Sequence, residues 1–184
     1  MSRKRLPKGP ARVYTLETEL IGGNVTEEFV TKNPVVSRTI EIRGDQTLDD
    51  LHWGIFSAYD REEMHMFEFQ FGKEPGHRKN RCYVMPEAEQ STLFGFGSQH
   101  AGLVSKTRLD DLGLAVGTTF FYWFDFGDDW WHEIRVKAVS QPQATTEKYP
   151  RIVARVGDSP PQYPDLEGEF VDDDADDVDG DDEE

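Results

Sequence analysis

The segment that most restricts the fold is an aromatic stretch running from Phe120 to Val136, FFYWFDFGDDWWHEIRV. Two apolar runs flank Gly127, Asp128 and Asp129, residue types that are typical of a short turn. In both runs, side chains that suit a buried face recur at every second position, as they do in a β-strand. We therefore predict a β-hairpin at about residues 118–138, in which these three residues form the turn.

The two faces of the predicted hairpin differ in chemistry. With a three-residue turn, Phe126 lies opposite Trp130 and Phe124 opposite His132, and this face is apolar apart from His132. The other face combines large aromatic and acidic side chains, which need a cover, a partner or a ligand. Its members are Phe121, Trp123, Asp125, Trp131 and Glu133. We predict that these five residues form a binding face.

One amphipathic helix is predicted ahead of the hairpin, at about residues 48–60. Thr47 suits the N-cap position, and Asp49 and Asp50 place negative charge in the first turn, where the helix dipole favours it. Strand-like alternation recurs at residues 13–21, 35–43, 64–71, 81–85 and 149–156. We predict an α+β fold in which a mainly antiparallel sheet, with the hairpin at its centre, packs against this helix.

Charge divides the chain into three parts. The formal net charge is -16 over 184 residues, and ten of the thirteen residues from Asp172 to Glu184 are acidic. We predict a flexible basic N-terminus at residues 1–11, a single domain at 12–166 and a disordered acidic tail at 167–184. An isoelectric point near 4.6 argues against direct binding of nucleic acid, which needs clustered cations, so a protein is the expected partner.

Two further features bear on location and redox chemistry. No apolar run approaches 18 residues and the first residues lack an apolar signal segment, so we expect a cytoplasmic protein without membrane contact. Cys82 is the only cysteine, which excludes an intrachain disulfide and a cysteine-based zinc site.

Catalytic motifs are incomplete in this sequence. Residues 125–127 spell the kinase Asp-Phe-Gly, but the glycine-rich loop, strand lysine and catalytic loop of a kinase are missing. His52, His65 and His132 each fall on an apolar face, and with a carboxylate they could bind a divalent metal. The alternative is that each is a core or rim histidine satisfied by a hydrogen bond. No cofactor is predicted, and the metal site stays an alternative.

Four segments together resemble the plasmid pRiA4b ORF-3-like family, some members of which are labelled insertion-element passenger proteins. The segments are PVVSRTIEI, TLDDLHWGIFSAYDREEMHMFEFQF, FYWFDFGDDWWHEI and YPRIVARVGDSPPQYPD, within roughly residues 12–165. The chain departs from the family at residues 160–165, where many members carry Pro-Pro-Glu-Asp-x-Gly-Gly and this chain has Pro-Pro-Gln-Tyr-Pro-Asp. The resemblance implies an α+β fold with a mainly antiparallel sheet, and no established activity.

Two function classes remain open at this point. The leading hypothesis is a non-enzymatic binding or interaction module of a family associated with plasmids or mobile elements. The alternative is a metal-dependent hydrolase, or another enzyme that uses a His/Asp cluster. The sequence leaves open whether the protein is an enzyme.

Overall fold

The computed structural model describes residues 12–86, 100–141 and 148–164. The described residues form eight strands: β1 (Val13–Gly22), β2 (Ser37–Arg43), β3 (Phe67–Phe71), β4 (Arg81–Val84), β5 (Gly102–Leu103), β6 (Thr119–Phe124), β7 (Trp130–Ser140) and β8 (Arg151–Val156). They also form helices α1 (Glu27–Lys32) and α2 (Leu48–Ala58), and short 3₁₀ turns at Val104–Lys106 and Leu109–Asp111.

All eight strands belong to one mixed sheet, in the order β5-β4-β3-β6-β7-β1-β2-β8. Neighbouring strands are antiparallel except β4 and β5, which run parallel. The hairpin of β6 and β7 occupies the centre of the sheet, so its side chains meet neighbours from both halves.

The predicted α+β architecture, a sheet packed against one main helix, is wrong. Eight strands spaced by about 4.8 Å make a sheet roughly 34 Å wide, whereas the 11 residues of α2 span about 16 Å at 1.5 Å per residue. One such helix is too small to cover the sheet. The protein is therefore a large mixed sheet to which a single substantial helix is added.

Helix α2 begins where the sequence predicts. Thr47 is the N-cap, and its hydroxyl accepts the backbone N–H of Asp50, whose side chain accepts the N–H of Thr47 in return. This reciprocal pair is a capping box, which satisfies two backbone donors that the first turn leaves free. Its buried side turns Leu51, His52 and Ile55 into the core.

The core lies along one face of the sheet. Strand residues at alternate positions and residues of α2 supply most of it: Tyr14, Leu16, Ile40, Ile42, Phe67, Phe69, Phe120, Tyr122, Phe124, Trp130, Ile134, Val136, Leu51 and Ile55. Within the described ranges, no helix has the length and apolar character needed to cross a membrane. The predicted N-terminal segment at 1–11 and acidic tail at 167–184 lie outside the described residues.

Candidate functional site

The turn between β6 and β7 has five residues, Asp125–Asp129, and not three. The Asp125 carbonyl oxygen accepts the N–H groups of Asp128 and Asp129 at 3.2 and 2.8 Å, and its Oδ1 accepts that of Gly127 at 3.1 Å. The left-handed positions belong to Asp125 and Asp129, with φ of 55° and 53°. Aspartate tolerates this conformation because its short side chain bonds locally. The aspartates, and not Gly127, therefore supply the unusual backbone geometry.

The longer turn shifts the pairing of the two strands by two residues. Phe124 pairs with Trp130 and Tyr122 with His132, where the sequence predicted Phe126 opposite Trp130. A shift of two leaves each strand residue on its predicted face, because side chains alternate with a period of two. His132 accordingly faces the core, and Trp131 faces the opposite side of the sheet.

The predicted binding face is partly covered by its own side chains. Phe121 and Trp123 are only 3% and 9% exposed. Trp131 is half-buried and stacks on Trp123 with ring centres 4.8 Å apart, while the Trp123 Nε1–H donates to Asp129 Oδ1 at 2.9 Å. Glu133 is half-buried and accepts from Arg135 at 2.7 Å. The surface that remains for a partner on this face centres on Trp131.

Asp125 does not lie on that face. It belongs to the turn and its carboxylate is buried, with Oδ2 placed 3.5 Å from His65 Nε2. The predicted set of five is thus divided between the outer face of the sheet and the end of the hairpin.

A basic loop, residues 72–81, borders Trp131. A Cβ on Gly76 would lie 3.9 Å from Trp131 Cζ2, which places the loop backbone against the indole. Gln70 fixes the loop, since its Oε1 accepts Gly76 N–H at 2.8 Å and Asn80 Nδ2–H at 2.9 Å. Four cations lie on this loop, with Glu74 as its one acidic residue: Lys73, Arg78, Lys79 and Arg81. The loop lines a cleft of about 310 Å³.

The predicted histidines occupy three different environments. His52 is fully buried, its ring is stacked on Phe67 at 3.7 Å, and its Nδ1 lies 2.7 Å from the Tyr122 hydroxyl. His65 is partly exposed, with Nε2 2.7 Å from the Tyr163 hydroxyl. His132 is 1% exposed and lies between the rings of Tyr59 and Tyr122, with centroid distances of 4.6 and 5.4 Å.

Burial lowers the pKa of both His52 and His132 to about 3, because the charged imidazole loses its hydration. Both rings are therefore neutral at neutral pH. Among residues 12–86, 100–141 and 148–164, no three His, Cys, Asp or Glu side chains are grouped as a metal ion would require. The predicted metal site at His52, His65 and His132 has no geometric support in that part of the chain.

Sequence reasoning missed the most unusual polar group, Arg61. Its side chain is 7% exposed, and the guanidinium carbon lies 3.6 Å from the centre of the Trp130 ring. None of its three side-chain nitrogens makes a hydrogen bond to a described residue, and neither do Trp130 Nε1 and the two ring nitrogens of His132. We call Arg61, Trp130 and His132 the Trp130 cluster. Arg61 follows Asp60 and precedes two glutamates, a context that in sequence looks like solvated surface.

A second buried arginine, Arg38, has a structural role. It is 1% exposed, and it donates to the carbonyl oxygens of Ala58, Ser37 and Val156 and to Ser159 Oγ, all at 2.7 to 2.9 Å. These acceptors come from α2, β2, β8 and the segment after β8. Arg38 thus joins four parts of the fold.

The proline-rich segment 158–164 is fastened by Gln162. Its Oε1 accepts the N–H groups of Glu62 and Glu63 at 2.9 and 3.0 Å, and its Nε2–H donates to the Glu63 carbonyl at 2.8 Å. Tyr163 adds a donated bond to Glu63 Oε2 at 3.1 Å. Gln162 and Tyr163, which lie where the chain departs from the family pattern, therefore hold the segment between α2 and β3.

Comparisons with known proteins give a family and a fold. No curated protein matches the sequence. The fold is similar to that of a protein of unknown function, MM3350 from Methanosarcina mazei Go1, with a TM-score of 0.60 and 23% identity over 80% of this chain and 71% of that one. The family described as plasmid pRiA4b ORF-3-like protein matches residues 26–170. The chain belongs to the plasmid pRiA4b ORF-3-like family.

Proposed function

We propose that the protein is a non-enzymatic interaction module that binds an acidic segment of a partner protein on the basic loop 72–81 and Trp131. The observation that carries this proposal is a group of exposed positive charges on the loop of an otherwise acidic chain. Lys73, Arg78 and Lys79 are exposed and form no ion pair with any described residue, in a chain whose net charge is -16. Exposed cations that no described carboxylate pairs with are available to an external carboxylate.

The neighbouring aromatic residue supports the same proposal. Trp131 offers a half-buried indole beside the loop, and its stack on Trp123 holds the ring in one orientation. Rigid aromatics next to cations are typical of interface hot spots, because they bury area with little loss of side-chain entropy. Loop and indole together present a mixed apolar and basic surface.

A protein fits this surface better than a nucleic acid does. A duplex brings a long array of phosphates, which an overall acidic chain with an isoelectric point near 4.6 tends to repel. A short acidic peptide engages the loop alone. Because the family name refers to a plasmid, a protein encoded by the same replicon is the first natural partner to test.

The two buried histidines and the cysteine favour binding over catalysis. An acid–base catalyst works best with a pKa near the operating pH, whereas the pKa of His52 and of His132 is about 3. Cys82 is buried among strand residues. These features support an interaction module, and a hydrolase that uses these histidines is not proposed.

The test uses a fluorescein-labelled oligoglutamate peptide and fluorescence anisotropy. We expect saturable binding that weakens with salt, because exposed charge contacts are screened. Reversing two charges with Arg78→Glu and Lys79→Glu should weaken binding about tenfold or more, since each exposed pair contributes up to about 1 kcal/mol and reversal adds repulsion.

The matched control reverses two other exposed cations, Lys106→Glu and Lys148→Glu, which changes the net charge equally. Equal weakening by both double variants would show a net-charge effect and refute the loop as the site. Tighter binding of oligothymidylate than of oligoglutamate would assign the loop to nucleic acid and overturn the protein-partner proposal.

A further inference from the structure

Arg61 enters the interior immediately after the end of α2. Asp60 takes a left-handed conformation with φ of 52°, and the Arg61 N–H bonds to the Phe56 carbonyl at 3.1 Å. This tight turn directs the side chain towards Trp130. The guanidinium then lies over the indole at 3.6 Å, so one face of its plane is covered and its N–H groups point away along the edges.

Burial lowers the pKa of Arg61 to about 10, because the charged form loses hydration. The carboxylates of Asp125 and Asp128 oppose this shift by their negative charge. At neutral pH the side chain is still a cation. It therefore brings five N–H donors into the interior, and none of them reaches an acceptor in the described part of the chain.

The same protein shows how a purely structural arginine is satisfied. Arg38 is buried as well, and it donates four hydrogen bonds, three to backbone carbonyls and one to a hydroxyl. Buried polar groups are rarely left unpaired, and each exception needs an explanation. The contrast between the two arginines indicates that Arg61 is directed at an acceptor other than the protein's own described groups.

Trp130 adds one further donor, because its Nε1–H has no partner among the described residues. His132 is neutral, so one of its ring nitrogens is a donor and the other an acceptor, and the backbones of Tyr122 and Trp130 lie near enough to raise its pKa. Burial lowers the pKa of His132 most, and the positive charge of Arg61 lowers it further. Both have Tyr59 and Tyr122 as neighbours.

Gly23 also restricts the position of the Trp130 ring. A Cβ on Gly23 would overlap the indole, so the Gly23 backbone packs directly against the ring. The indole therefore packs against both this backbone and the Arg61 guanidinium. Contacts that fix a donor before the ligand arrives lower the entropy lost on binding.

We propose that the Trp130 cluster binds a small monocarboxylate. A guanidinium presents parallel N–H groups that match the two oxygens of a carboxylate, and the Trp130 Nε1–H supplies a further donor. Phosphate fits less well, because the buried Asp125 carboxylate and Asp128 already oppose added negative charge near Arg61. A singly charged carboxylate adds less of this repulsion than a phosphate does.

This site is distinct from the one that binds the acidic partner. Trp130 and Trp131 are adjacent in β7 and therefore point to opposite faces of the sheet. A failure of carboxylate binding leaves the basic loop untouched, and variants of the loop leave the Trp130 cluster unchanged.

The test follows the tryptophan indole N–H signals by two-dimensional NMR of the full chain during titration with sodium acetate. Trp130→Phe assigns the Trp130 signal among the four tryptophans. We expect a saturable shift of that signal with acetate and formate, and no saturable shift with sodium chloride or phosphate. Arg61→Lys keeps the charge but removes the planar fork, and it should weaken acetate binding at least tenfold.

Three results would overturn the proposal. They are an indole shift no larger with acetate than with chloride at equal ionic strength, tighter binding of phosphate than of acetate, and unchanged acetate affinity in Arg61→Lys. The far-ultraviolet circular dichroism of the variant checks that it is folded. If Arg61→Lys does not fold, Arg61→Met is the replacement variant, and unchanged acetate affinity in that protein has the same meaning.

Discussion

The two buried arginines should differ in their contribution to stability, and replacing each by methionine measures that difference. Arg38 and Arg61 are 1% and 7% exposed, so both substitutions remove a guanidinium and leave a flexible apolar chain in its space. If burial alone determined their contribution to stability, the two variants would lose similar free energies of unfolding.

The hydrogen bonds predict a large difference. In Arg38→Met, three carbonyls and a hydroxyl lose a charged donor, and breaking such a buried arrangement costs about 3–5 kcal/mol. In Arg61→Met no protein hydrogen bond is lost. The variant loses a cation–π contact of about 1–2 kcal/mol and is relieved of the similar or larger penalty of an unpaired buried charge.

The assay is urea unfolding followed by tryptophan fluorescence, at neutral pH in a buffer without carboxylate. We expect Arg38→Met to be less stable than the parent by about 3–5 kcal/mol, a large part of a typical total of 5–15 kcal/mol. We expect Arg61→Met to lie within about 1 kcal/mol of the parent. Equal losses in both variants would refute the reasoning, since Arg61 would then have internal acceptors comparable to those of Arg38.

Two other predictions concern acid sensitivity and the segment after β8. The pKa of His52 and His132 is about 3 in the folded protein and about 6.5 in an unfolded chain, so as the pH falls from 6.5 towards 3 the unfolded state binds protons that the folded state does not. Each histidine should then remove up to about 1.4 kcal/mol of stability per pH unit, and unfolding curves at several pH values should show a shallower slope for His132→Phe. A slope unchanged by that substitution would contradict the neutral buried state. Gln162→Ala removes three hydrogen bonds to the backbone of Glu62 and Glu63 and should cost about 1–3 kcal/mol; the exposed substitution Pro161→Ala is the comparison, and equal losses would argue against an anchoring role for Gln162.

Alternation along the hairpin could be read from sequence, and the length of its turn could not. Which side chains share a face depends only on odd or even spacing, so His132 and Trp131 were assigned to the correct opposite faces. The turn length depends on left-handed backbone at Asp125 and Asp129 and on a bond from Asp125 N–H to the Met66 carbonyl. That last contact joins the turn to the residue before β3, which no local pattern specifies.

The start of the helix could be predicted because it depends on local contacts. The predicted fold class was wrong because it depends on contacts between distant parts of the chain. Thr47 and Asp50 bond within one turn, so the start of α2 is encoded in four consecutive residues. The number of strands that join one sheet depends instead on long-range pairing, such as that of β1 with β7. Apolar periodicity predicts individual strands, but it does not predict how many of them pair in one sheet.

Arg61 shows why the candidate site was missed. Its neighbours in sequence, Asp60 and Glu62, are exposed charged residues, and a charged run ordinarily indicates a solvated surface. Its burial comes from Trp130, which the fold brings to it from the central hairpin. A partner supplied by tertiary structure leaves no trace in local composition.

The buried groups without hydrogen bonds lie together, which favours a ligand site over imperfect packing. Among the described residues, buried side-chain nitrogens without hydrogen bonds occur in four side chains, and three of these are Arg61, Trp130 and His132. The fourth is Asn33, whose oxygen accepts the N–H of Asp158 while its Nδ2 has no partner among the described residues. Imperfect packing would scatter such groups through the core. Native chains tolerate a local conflict of this kind where a ligand resolves it, and a carboxylate beside Trp130 would satisfy donors that Arg38 satisfies with the protein's own carbonyls.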